Sequence, residues 1–194
     1  MIYSYPFPLK FEKVLKELTL ETMKDCNTDP IYVRSLNIDD NNLNKLNEEL
    51  VEYNLPPVSN FLIFKRRKMT FINRFNTHVD YTEFAGEIIK SSIVVPVEGC
   101  KNSYMYYMTG EYQLETKFLP NGNAYKVVHW TSTPHLTQKV EIVEQPMLCR
   151  VDIPHDAISD TAGNYRTILS IRLQTNPTFE EIIYNRFNID LSIS

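Results

Sequence analysis

A chain of 194 residues with 43% hydrophobic, 23% charged and 12% aromatic content is long enough to bury a core without staples. It is too apolar for a disordered tail, a collagen-like repeat or a coiled coil. The formal net charge of −4 gives no general attraction to nucleic acid or to anionic membrane, no apolar run approaches the ~20 residues that span a bilayer, and the first residues show no leader pattern.

Cys26, Cys100 and Cys149 are odd in number and never paired as Cys-x-x-Cys, which argues against a disulfide framework and a thiolate zinc site. The expectation is one domain, 1–194, of a soluble protein in a reducing, cytoplasmic compartment (the host cytoplasm if the source is viral).

Residues 1–60 read as a helical support region. Leu9, Phe11, Val14, Leu15 and Leu18 fall near helical spacing. A second helix is expected over 41–53, capped by Asp39 or Asp40, with Leu43, Leu46 and Leu50 as its buried stripe. Asn54 and Pro56-Pro57 end it.

From Phe61 the texture is β. Strands are expected at 61–64, 89–97, 104–108, 111–118, 125–130, 139–143, 147–153 and 165–173, filling a core over 61–174. Thr109-Gly110 and, more strongly, Pro120-Asn121-Gly122-Asn123 read as hairpin turns, since Asn-Gly supplies the positive φ of a tight turn. A short helix over 179–185 closes the chain within 175–194. Helices followed by many antiparallel strands predict α+β, mainly β: a sandwich or barrel carrying helices on one side.

Four residues carry the chemistry: His78, Asp80, His155 and Arg166. In a strand, positions i and i+2 share a face, so His78 and Asp80 present an imidazole and a carboxylate to one point while Val79 turns away. His155 follows the apolar run 147–153, which could return it beside them. Two imidazoles and one carboxylate on one side of an ion form the facial triad suited to Fe(II), with open positions for a co-substrate and O2. Arg166 begins the strand 165–173, and an arginine directed into an apolar barrel needs an anionic partner. A dicarboxylate fits, chelating metal at one end and meeting the guanidinium at the other.

Asn76-Thr77-His78-Val79-Asp80, then 147–157 ending in Pro154-His155-Asp156-Ala157, then Tyr165-Arg166-Thr167-Ile168-Leu169-Ser170, together resemble the Fe(II)/2-oxoglutarate-dependent dioxygenases. The likeness covers 61–173 and is nearest to the compact prolyl-hydroxylase-like members found in bacteria and phages. It implies a double-stranded β-helix (jelly-roll) core, His78, Asp80 and His155 as iron ligands, and Arg166 as partner of the distal carboxylate of 2-oxoglutarate. A hydroxyl commonly assists that carboxylate; Tyr104, Tyr106 and Ser170 are the candidates, and Arg172, on the face of Arg166, is a rival arginine. The implied reaction consumes O2 and 2-oxoglutarate and hydroxylates a substrate. A peptidyl residue such as proline comes first, a nucleobase or small metabolite next.

Two other readings remain open. A cupin-like metalloenzyme would use His78, Asp80, His155 and Glu83 without a buried arginine, and a non-catalytic barrel would leave the His78 and His155 rings far apart. His129, His135 and Trp130 read as surface, hinge and wall residues. Lys65-Arg66-Arg67-Lys68 reads as a solvated edge strand defended by charge rather than a phosphate-binding patch.

Overall fold

The computed structural model describes residues 2–24, 31–67, 77–82, 86–118, 124–142, 145–159, 165–189 and 191. In chain order the elements are β1 (Ser4–Pro6), α1 (Glu12–Met23), β2 (Ile31–Ser35), α2 (Asp40–Val51), β3 (Val58–Arg67), β4 (His78–Val79), β5 (Tyr81–Thr82), β6 (Glu87–Ile88) and β7 (Ser91–Glu98). They continue as β8 (Ser103–Thr109), β9 (Tyr112–Phe118), β10 (Ala124–Trp130), β11 (His135–Glu141), β12 (Met147–Arg150), β13 (His155–Ser159), β14 (Tyr165–Leu173) and α3 (Phe179–Phe187). The protein is mainly β. Two six-stranded antiparallel sheets run in the orders β1-β12-β7-β14-β3-β2 and β11-β8-β13-β4-β10-β9, and β5 and β6 form a small ribbon.

The central strand β14 explains how the layers divide. Its odd residues Leu169, Ile171 and Leu173 pack in one apolar cluster with Leu15, Leu46, Leu50, Phe179 and Ile182, the side of the first sheet covered by the helices. Its even residue Ile168 belongs to a second cluster with Met105, Tyr107, Cys149 and Val151, between the two sheets. By the two-residue period, Arg166, Ser170 and Arg172 share that inner face with Ile168. From Arg166 to Leu173 the strand is buried on both faces although it carries Arg166, Thr167, Ser170 and Arg172. Each fully buried Leu or Ile contributes about 1.5–3 kcal/mol of transfer free energy.

Helix ends are satisfied by side chains. Asp39 caps α2, accepting from the Asn42 N–H at 3.0 Å, and Asn54 turns the chain at φ 54° just beyond its end. Thr178 and Glu181 form a reciprocal capping box on α3. α1 has no side-chain cap of its own, but the chain entering it is held by the buried Glu49 of α2, which accepts the N–H groups of Lys10 (2.7 Å) and Phe11 (3.1 Å). That carboxylate ties the two helices together where they meet the sheet.

The structure corrects several expectations. The first sixty residues contain two strands, β1 and β2, which extend the first sheet at both edges. β2 covers the outer side of β3, so β3 is not an edge strand and Arg66 is not a solvated charge; its guanidinium is held by Asp156. Thr109-Gly110 does not close a hairpin, because β8 pairs with β11 and β13 while β9 pairs with β10. β12 stops at Arg150, three residues short of the expected end. The Asn121-Gly122 turn and Glu83 lie outside the described residues.

Candidate metal centre

The triad is assembled by strand register. β13 pairs antiparallel with β4 through His155 opposite His78, and with β8 through His155 opposite Tyr107 and Ala157 opposite Met105. Directly opposed residues share a face, so both imidazoles stand on the inner side, their ring centroids 4.5 Å apart. Asp80, two residues after His78, is fixed by its own backbone: its N–H donates to Val151 at 2.9 Å and its carbonyl accepts from Ile89 at 3.0 Å. The Nε2 atoms of His78 and His155 then lie 3.7 and 3.8 Å from Asp80 Oδ1.

One ligand atom from each of the three residues falls within 4.8 Å of the others. An ion bound at about 2.1 Å to each donor keeps the donors about 3–4 Å apart. The two separations from Asp80 Oδ1, 3.7 and 3.8 Å, fall in that range, and the group could hold a metal ion with a small contraction of its widest separation.

Electrostatics prepare each ligand. The carbonyl of Ile153 can only accept, so His155 Nδ1 carries the proton of their 2.9 Å hydrogen bond. This leaves the Nε2 lone pair toward Asp80, the arrangement typical of a metal-ligating histidine. Burial, and then His78, push the His155 imidazole down to about 4 against the opposing pull of Asp80, so the ring is neutral near pH 7. Burial also works against ionisation of Asp80, but Arg172, His155 and His78 outweigh it and hold the carboxyl below its usual range. Arg172 Nη2 donates to Asp80 Oδ2 at 3.0 Å, which occupies one carboxylate oxygen and leaves the other facing the imidazoles.

Deeper in the same layer, Arg66 of β3 stands directly opposite Arg166 of β14. Like charges in directly opposed positions repel. Arg66 is held by Asp156 at 3.2 Å. Arg166 is 6% exposed, and its Nη1 has no hydrogen-bond partner among the described residues. Burial, and then the neighbouring Arg66, lower its guanidinium to about 10. Among the described residues, the Arg66 and Arg166 guanidiniums lie near one carboxylate, that of Asp156.

Gly99 holds the turn after β7 against the start of β14. It sits at φ 66°, and a Cβ there would collide with the carbonyl oxygen of Tyr165.

The three expected ligands are brought together, and Arg166 is buried on the inner face. Arg172 does not duplicate it but pairs with Asp80. Ser170 shares the inner face, with its hydroxyl 2.6 Å from that of Ser92. Tyr104 and Tyr106 stand on the other face of β8 from Met105 and Tyr107, opposite Ile158 and Asp156, and the Lys139 ammonium lies 3.7 Å from the Tyr104 ring centroid.

The inner tyrosine is Tyr107, its hydroxyl 2.8 Å from Ser4 Oγ and its ring 6.3 Å from that of His155. Sequence parity alone could have offered Tyr107, since 105 and 107 form the other face of the same strand. His129, two residues along β10 from Val127, which stands opposite His78, bonds Glu115 at 2.7 Å. Among the described residues no helix is long and apolar enough to cross a membrane. No family model matches the chain, and no curated protein matches it either.

Proposed function

We propose that the protein is an Fe(II)- and 2-oxoglutarate-dependent oxygenase built on a double-stranded β-helix. The observation that carries this reading is the coexistence, between the same two sheets, of a two-histidine, one-carboxylate cluster and a buried arginine with an orphaned donor. A structural barrel has no need of either, and an unsatisfied buried cation costs stability. A cupin-like metalloenzyme would account for the cluster but not for Arg166.

The strand order supports the jelly-roll assignment. Taking β3, β4, β7, β8, β11, β12, β13 and β14 as eight core strands, four fall in each large sheet, β12-β7-β14-β3 and β11-β8-β13-β4. The ligands then fall on the second strand, just after it, and on the seventh.

The bound iron would supply O2 activation, with a substrate C–H converted to C–OH while 2-oxoglutarate and O2 yield succinate and CO2. The chain's own residues have separate tasks. His78, Asp80 and His155 ligate on one side and leave the other open. Arg172 fixes the orientation of Asp80. Arg166 would receive the distal carboxylate through paired hydrogen bonds. The apolar wall of Met105, Tyr107, Val151 and Ile168 excludes water from the reacting centre.

The test is succinate formation from 2-oxoglutarate with Fe(II) and ascorbate, in wild type and in His78→Ala. Iron-dependent turnover, coupled or uncoupled, is expected from the wild type alone. A folded wild type without it counts against the oxygenase reading.

A further inference from the structure

The two large sheets end on four strands: β1, β2, β11 and β9. An open edge invites another strand, and proteins blunt it with short length, proline or bulges. β1 has three residues and ends at Pro6. β2 has five, and β11 is broken by a register shift between Leu136 and Gln138. β9 carries none of these three, and only Glu115 and Lys117 put charge on it. It is seven residues long, without proline or glycine, exposed throughout, and among the described residues paired along one side only, with β10 in unbroken register.

Alternation sorts its side chains into two kinds. Tyr112, Leu114, Thr116 and Phe118 occupy one face, and Gln113, Glu115 and Lys117 the other. Tyr112, Leu114 and Phe118 are all exposed large hydrophobics, and their face continues onto β10 through the opposed residues Trp130, Val128 and Ala124, with Lys126 opposite Thr116 and donating to its hydroxyl at 2.5 Å in the middle. An apolar strip along an open edge marks a contact surface.

We propose that β9 pairs antiparallel with β9 of a second copy about a twofold axis through Thr116. In that register Glu115 of one copy faces Lys117 of the other, and Leu114 faces Phe118, each pair occurring twice by symmetry. The charges select it. A twofold perpendicular to the sheet keeps each face on its own side, so the axis passes through a residue. Moving it one residue sets Glu115 against Glu115 or Lys117 against Lys117, both repulsive. Within one copy Glu115 already takes His129 at 2.7 Å and lies 3.4 Å from Lys117. Pairing would extend this cluster into an alternating seam, with the apolar residues covered on the opposite face.

The experiment is sedimentation velocity over a concentration series, with circular dichroism and thermal melting to verify folding of each variant. Wild type is expected to dimerise reversibly. Lys117→Glu should weaken the dimer about tenfold or more by placing carboxylates opposite each other. The double exchange Glu115→Lys with Lys117→Glu should restore it, and Thr116→Pro should abolish it by removing an edge N–H. A wild type that stays monomeric up to about 1 mM, a dimer indifferent to Lys117→Glu, or a double exchange that fails to restore association overturns the proposal.

Discussion

Arg172 donates to Asp80 Oδ2 at 3.0 Å across 92 residues of sequence, and so holds the one carboxylate of the triad in place before any metal arrives. Breaking a buried ion pair by removing one partner costs about 3–5 kcal/mol. Arg172→Met is therefore expected to lower the denaturation midpoint of the metal-free protein sharply. Saturating Co(II) should recover part of the loss, because the ion gives Asp80 a new positive partner. Urea unfolding of both proteins with and without Co(II) checks this; an unchanged gap between them would separate Arg172 from the metal centre.

Arg166 is predicted to trade stability for binding. Replacing a buried, incompletely paired charge with a hydrophobe of similar length is often stabilising, by about 1–4 kcal/mol. Arg166→Met should thus raise the denaturation midpoint of the unliganded protein, while the further stabilisation that the proposed function expects 2-oxoglutarate to give the metal-loaded wild type should be lost. A variant that is less stable yet still responds to 2-oxoglutarate would assign the arginine a purely structural role.

Cys149 supplies a pH prediction away from the ligands. Burial pushes its thiol up to about 11, with hydrogen bonds from Ser4 and Tyr107 opposing. The folded state then keeps a proton that the unfolded chain releases from about pH 8.5. The stabilisation is present below that pH and is lost as pH rises toward 11, an effect on the order of 3 kcal/mol. Thermal midpoints from pH 8 to 11 should fall more steeply for wild type than for Cys149→Ala. Parallel curves would contradict the shift.

Glu49 joins α2 to the start of α1 through two backbone N–H groups. Glu49→Ala leaves both donors without this acceptor, and is expected to cost about 1–3 kcal/mol without changing metal affinity. Chemical denaturation alongside a metal titration separates the two effects.

The legibility of the sequence followed burial only in part. β14 was readable to the residue although Arg166, Thr167, Ser170 and Arg172 interrupt its apolar run, and His78, Asp80 and His155 were readable because alternation and order along the chain fixed their faces. β2 escaped notice because it lies among helical segments and gains its stability only by pairing with β3. That Tyr104 and Tyr106 share a face was legible from alternation, but 104–108 is aromatic or apolar at every position, so no polar residue marks which face turns inward. Arg66 looked solvated because a basic run carries no sign that β2 and Asp156 will enclose it.

The most direct measurement is an anaerobic titration of metal-free protein with Fe(II) and then 2-oxoglutarate, read by visible absorption and by metal content after gel filtration. Wild type should retain one equivalent of iron and develop a charge-transfer band only when 2-oxoglutarate joins it, whereas folded His155→Ala should do neither. A folded wild type that retains no iron, or the same retention and band in His155→Ala, would contradict the account.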